Sequence, residues 1–165
     1  SVFDKKDLRY LCANLSKYNY KFISTGSTGK KIRDMDFKCK DVSKITKSKE
    51  MFDGRVKTIN PLIYSSLLYK RENEFHKKQF LKLKIPEIDI VIVNLYPFHK
   101  YLKRKDINSK IEMIDIGGPS LLRASGKNFR YITQIRFGKP DGYSAVVDGF
   151  CQTPTQKELS FLKII

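Results

Sequence analysis

The sequence has no tryptophan, two histidines and three cysteines, and each shortage closes off a class of protein. Cys12, Cys39 and Cys151 are an odd number without CxxC spacing, so neither a disulfide framework nor a zinc site is suggested. His76 and His99 stand apart from each other, and no metal constellation is expected. No apolar run approaches the ~20 residues that a membrane span needs, and no signal-peptide pattern opens the chain. The expected location is therefore cytoplasmic. Internal repeats and low-complexity linkers are missing too. The 165 residues fit one domain with a real core, over 1–150, followed by a C-terminal tail over 151–165 that Pro154 interrupts.

Acidic residues are also few. There are 17 Asp and Glu against 33 Lys and Arg, a net charge of +16, which favours an anionic partner: nucleic acid, a phosphorylated metabolite or a membrane surface. The lysines are dispersed through every segment rather than gathered on one helix or arm, and no nucleic-acid-binding motif accompanies them. The nucleic-acid reading is the weaker one.

Against this thin background the stretch MIDIGGPSLLRASGKN is dense in chemistry. Asp115 precedes Gly117 and Gly118, Pro119 suits the first turn of a helix, and Arg123 and Lys127 follow within two to three turns. A helix start offers unpaired backbone N–H groups and a positive dipole end to an anion. The competing reading is a capped helix whose cations are only solvated, and the residues alone leave both open.

Taken in order, Val2 and Phe3 read as the end of a strand whose beginning is absent. Asp7 is a candidate cap for a helix with Leu8, Leu11, Leu15 and Tyr18 at helical spacing, broken at Asn19. A strand over 20–24 runs into Thr25-Gly26-Ser27-Thr28-Gly29-Lys30 and a short helix. A strand entering a Gly/Ser/Thr turn that opens a helix can cradle phosphate, although GSTGKK lacks the spacing of the nucleotide-triphosphate loop. A short strand is expected over 39–42. The turn DGRVKT brings Arg55, Lys57 and Thr58 together, and the segment 62–69 fits either helix or strand. An amphipathic helix is expected over 72–84 with Phe75, Phe80, Leu81 and Leu83 inward. The β-branched run over 88–95 reads as a central parallel strand covered on both faces. It ends in Asn94-Leu95-Tyr96-Pro97, at the edge where open parallel sheets bind ligands, and on one rim with the Thr25 to Thr28 turn. A last strand over 131–137 and a helix over 140–150 complete an α/β fold of three layers, a mostly parallel central sheet with helices on both faces.

SVFDKKD, FISTGSTGK, EMFDGRVKTINP, VIVNLYPF and IDIGGPSLLRASGKN, in this order and spacing, resemble the inosine monophosphate cyclohydrolase domain of bifunctional purine biosynthesis proteins, within the methylglyoxal-synthase-like α/β family. The resemblance implies closure of 5-formamidoimidazole-4-carboxamide ribotide to inosine monophosphate with loss of water, without metal or redox cofactor. It carries over Lys57, Tyr96, Asp115 and Lys127 as the catalytic set. Lys5, Thr25, Gly26, Ser27 and Thr28 match the phosphate positions, and Arg55, Thr58, Asn94 and Gly117 line the nucleotide. The formyltransferase domain of such proteins has no counterpart here. Whether the chain pairs as a homodimer is left open.

Four positions depart from the family pattern. Phe3 replaces a hydroxyl residue, Ser27 a glycine, and Asn60 and Phe129 two histidines. Serine at a position needing positive φ would cost ~1 kcal/mol, but in an ordinary conformation it costs nothing. These changes keep a second expectation alive, a non-catalytic module of the same fold that holds a phosphorylated metabolite.

Overall fold

Apolar spacing of three and four residues starts the fold: Leu8, Leu11, Cys12 and Leu15 lie on one side of α1 (Leu8–Lys17) and all are buried. In the computed structural model, which describes residues 2–103 and 105–137, the elements that follow are β1 (Phe22–Ser24), α2 (Gly26–Arg33), β2 (Cys39–Asp41), α3 (Val42–Thr46), α4 (Pro61–Leu68) and α5 (Glu74–Leu83). Then come β3 (Ile90–Asn94), α6 (Phe98–Tyr101), α7 (Ile107–Ile111), α8 (Gly117–Lys127) and β4 (Thr133–Phe137). The helix expected over 140–150 and the tail over 151–165 lie outside the described residues.

The layers follow from the pleat of β3. Successive side chains point to opposite faces, so Val91 and Val93 join Val42, Ile45, Ile63, Leu67, Leu121, Ala124 and Ile132 in one apolar cluster. Ile90 and Ile92 pack against the other, formed by α1, Ile32 and Met35. Phe22 and Ile23 of β1 divide in the same way between the two clusters. The strands are therefore covered on both faces, as the continuous β-branched run requires. All described ladders are parallel, but they form two pairs, β1 with β2 and β3 with β4, rather than one continuous sheet.

Several local expectations are corrected. Asp7 stands at the start of α1 without a side-chain cap bond, and Tyr18 is exposed just past its end. Asn19 does end the helix, in the left-handed region at φ 62°. The segment 62–69 is helical: Asn60 accepts from the Leu62 N–H, Pro61 fills the first turn and α4 follows. Of the four inward positions expected on α5, only Phe80 is buried, whereas Phe75 and Leu81 are 67% and 70% exposed and Leu83 is also exposed. The helix docks through Phe80, which stacks on Tyr69 with ring centroids 4.1 Å apart, and through His76 Nδ1, which accepts from the Lys70 N–H at 3.1 Å.

Asn128 couples α8 to α4. It is buried, and its Nδ2 donates to the Leu67 carbonyl at 2.9 Å and the Tyr69 carbonyl at 3.0 Å. Replacing it by Ala orphans both acceptors, each costing roughly 1–3 kcal/mol, so Asn128→Ala should lower stability to urea by about 2–4 kcal/mol. Asn128→Asp, which keeps the shape but cannot donate, should lose at least as much.

Burial, reinforced by the neighbouring Cys39, pushes the Cys12 thiol up from 9.0 to about 11. A folded-state pKa above the unfolded one gives stability that is whole below pH 9.0 and is lost as pH climbs towards 11. The stability advantage of wild type over Cys12→Ala should accordingly shrink through that window, measured by urea midpoints at each pH.

Candidate ligand site at the strand ends

β1 and β3 deliver their carboxyl ends to a common rim, and Val2 is the joint between them. Val2 forms a parallel bridge with Asn94, while its carbonyl accepts from Thr28 Oγ1 at 2.9 Å. Asn94 also accepts from the Phe3 N–H through its carbonyl at 3.3 Å and from the Asp4 N–H through Oδ1 at 3.1 Å. Phe3 meets Tyr96 edge-on with centroids 5.3 Å apart, and Lys5 Nζ donates to the Phe3 carbonyl at 3.1 Å. Lys5, Thr28, Asn94 and Tyr96 are thus assembled around one short segment.

The DGRVKT turn joins them through glycine contacts. Met51 and Val56 close the turn as an antiparallel bridge, and Phe52, Asp53 and Gly54 all take positive φ, at 54°, 52° and 88°. Phe52 and Asp53 each pay roughly 1–2 kcal/mol for it, a strain typical of functional loops. Gly54 has a second reason to lack a side chain: a Cβ there would stand 2.5 Å from Lys57 Nζ. Lys57 reaches on to Gly26, whose Cβ position lies 3.6 Å from the same nitrogen. Thr58 Oγ1 is 3.1 Å from where a Cβ on Gly117 would be. A Cβ on Gly118 would meet Asp115 Oδ2 at 2.5 Å and Leu95 Cδ2 at 2.9 Å. The four loops after β1, before α4, after β3 and before α8 therefore close on one another.

The charges are internally answered. Lys57 Nζ is 3.3 Å from Glu50 Oε2, and Arg55 pairs with Glu112 across to the segment before α8, which raises the guanidinium pKa further above its usual range. At the start of α8 the expected anion-facing N–H groups are partly taken: Asp115 Oδ1 accepts from the Gly118 N–H at 2.9 Å. Asp115 Oδ2 is buried without a hydrogen-bond partner. At α2, Thr25 is the first flanking residue and makes no side-chain cap bond, leaving the first N–H groups of that helix to an outside acceptor. Gly26 carries the positive φ of 49° there, so Ser27 sits in ordinary conformation and its replacement of glycine is unstrained.

Lys127 stands elsewhere. It closes α8, exposed, ~15 Å along the axis from Gly117 at 1.5 Å per residue. Asn60, in place of histidine, is the cap of α4, and Phe129 is at the surface beyond α8. Glu50, Glu112, Leu95 and the contact role of Gly118 were not expected from sequence. Only the proximity of acids to cation-rich turns signals Glu50 and Glu112, and nothing local marks Leu95.

These features define an α/β protein with a candidate ligand site where polar turns gather at the carboxyl ends of parallel strands. The MGS-like domain model matches residues 7–120, and the chain belongs to that family. It is 43% identical over 149 residues to the bifunctional purine biosynthesis protein PurH of Oenococcus oeni, a match covering 89% of this chain and 29% of that protein. PurH of Magnetococcus marinus is 38% identical over 168 residues, covering 97% of this chain and 31% of its own length. The chain thus spans about a third or less of the relatives it matches. Among solved structures, that of ForH superposes with a TM-score of 0.70 at 27% identity, covering 82% of this chain and 68% of that one.

The Gly118 contacts make a sharp test of how the site is held. Gly118→Ala should destabilise the protein by about 1–3 kcal/mol through overpacking, read by denaturant titration. An Asp115→Ala background should recover part of that loss, because the two positions share one contact.

Proposed function

We propose that this domain is an inosine monophosphate cyclohydrolase, acting in purine biosynthesis in the cytoplasm. It closes 5-formamidoimidazole-4-carboxamide ribotide: the carboxamide nitrogen attacks the formyl carbon, the resulting hydroxyl leaves as water, and a C=N bond completes the ring. The observation that carries the reading is the convergence of Lys57 with the amino end of α2 beside Gly26, together with the partnerless buried Oδ2 of Asp115. A phosphorylated nucleotide needs backbone N–H groups at its phosphate end, and the formyl group beyond the ribose needs a cation. Its carboxamide needs a hydrogen-bond acceptor.

In this proposal the nucleotide phosphate lies on Thr25, Gly26, Ser27 and Thr28 with Lys5 nearby, and Arg55, Thr58, Asn94 and Gly117 line the ribotide. The bound ribotide competes with Glu50 for Lys57 and with Glu112 for Arg55. The Arg55 pair is exposed on both sides and the Lys57 pair on its glutamate side, and such surface pairs are weak enough, at roughly 0–1 kcal/mol, to be exchanged. Lys57 and Tyr96 orient the formyl group and stabilise the oxyanion that develops on it. Asp115 accepts the amide proton. Lys127 enters the catalytic set by resemblance alone, since its place at the far end of α8 supplies no contact with Asp115. The second reading, a binding module without turnover, is favoured by that separation and by the aromatic ring of Phe3 at the entry segment.

Incubating the protein with the formylated ribotide and following inosine monophosphate separates the two. Turnover is expected, falling about 100-fold or more in Lys57→Met, the scale of losing one oxyanion-stabilising group. Lys127→Ala should fall as steeply only if α8 carries that lysine into the site. A nucleotide-dependent rise in Tm without product would select the binding module.

A further inference from the structure

Two residues at the rim are aromatic, and neither belongs to the core. Phe3 and Tyr96 are each 39% exposed, and both lie outside the two apolar clusters of the described residues. They meet beyond the carboxyl end of β3 with centroids 5.3 Å apart and ring planes at 67°, a geometry in which an edge-to-face pair attracts beyond the area it buries. Core packing therefore does not account for Phe3. What its ring provides is the contact with Tyr96.

Both backbones are fixed at the same strand end. Tyr96 precedes a proline, which confines it to extended backbone. Pro97, at φ −78° and ψ 64°, forms an inverse γ-turn, in which the Phe98 N–H donates to the Tyr96 carbonyl at 2.8 Å. Phe3 donates its N–H to the carbonyl of Asn94, two residues before Tyr96, at 3.3 Å, and its own carbonyl accepts from Lys5 Nζ at 3.1 Å. The freedom left is rotation of the Tyr96 side chain. A half-exposed phenol without a wall samples several staggered rotamers, and each carries the hydroxyl to a different place.

We infer that Phe3 is a positioning residue for Tyr96: its ring, anchored through Asn94, holds the phenol in one rotamer for the ligand. The inference rests on the reading above, in which Tyr96 touches the ligand's formyl group. A hydroxyl already held in place loses no further rotamer freedom when the ligand arrives. Phe3 therefore acts on the step that uses Tyr96 and not on phosphate capture.

The test labels the protein with fluorotyrosine, identifies the Tyr96 signal by its loss in Tyr96→Phe, and follows turnover of the formylated ribotide in the unlabelled variants. Phe3→Leu should move the Tyr96 fluorine signal towards that of free fluorotyrosine while the other tyrosine signals keep their places. It should also lower kcat roughly 3- to 10-fold, the scale of one edge-to-face contact, with KM little changed. Phe3→Tyr, which keeps the ring, should retain kcat. In a Tyr96→Phe background Phe3→Leu should bring no further loss, because the hydroxyl it would misplace is gone. An unmoved Tyr96 signal, a shift of all the tyrosine signals together, a loss confined to KM, failure of Phe3→Tyr to retain kcat, or losses that multiply in the double variant would each overturn the inference. A wild type that binds inosine monophosphate without turnover sinks the cyclohydrolase reading and not this one. The fluorine signal and the same double-variant cycle, read as Kd for inosine monophosphate, then decide it.

Discussion

The rim at the strand ends depends first on how Asn94 holds the segment from Val2 to Asp4. Two parallel strands reach the rim from different ladders, and parallel strands share no tight turn that could fix their ends together. The lock is instead a set of hydrogen bonds: Asn94 accepts from Phe3 and Asp4, and Thr28 donates to Val2. Through that joint the turn that opens α2 is fixed against the loop that carries Tyr96.

Glycine does the complementary work of letting the loops close. A single added carbon would stand 2.5 Å from Lys57 Nζ at Gly54 and 2.5 Å from Asp115 Oδ2 at Gly118, so both side chains lie in the space that a larger residue would need. The neighbouring Phe52 and Asp53 hold the left-handed backbone without being glycine. Such strain persists only where surrounding contacts over-determine it, and here the Met51 and Val56 bridge does so. The net charge of +16 is not concentrated at this rim. The two cations of the DGRVKT turn are each answered by a glutamate, which keeps the turn ordered without closing it to an anion.

Departures from the family pattern prove to be of different kinds. Ser27 is accommodated because the positive φ falls on Gly26. Asn60 caps α4, a task for which asparagine is well suited. Phe3 builds an aromatic contact with Tyr96. The membership of the MGS-like family therefore rests on a scaffold that tolerates these changes, while their effect falls on the site.

The amino-acid sequence alone determined the α/β class, the β-branched central strand, the amphipathic α1 and the polar turns on one rim, because each is written in local periodicity or in short-range turn chemistry. It misjudged α5, where helical spacing of Phe75, Leu81 and Leu83 promised burial, since periodicity marks an apolar face without saying whether a neighbour covers it. It left 62–69 undecided until the Asn60 cap fixed α4. Only the tertiary structure decided that Lys57 lies over Gly26, that Glu50 and Glu112 answer the cations, that Lys127 stands a helix length away, and that the described strands pair as β1 with β2 and β3 with β4. Those are contacts between residues far apart in the chain, set by packing and strand pairing, which no local pattern of residues encodes.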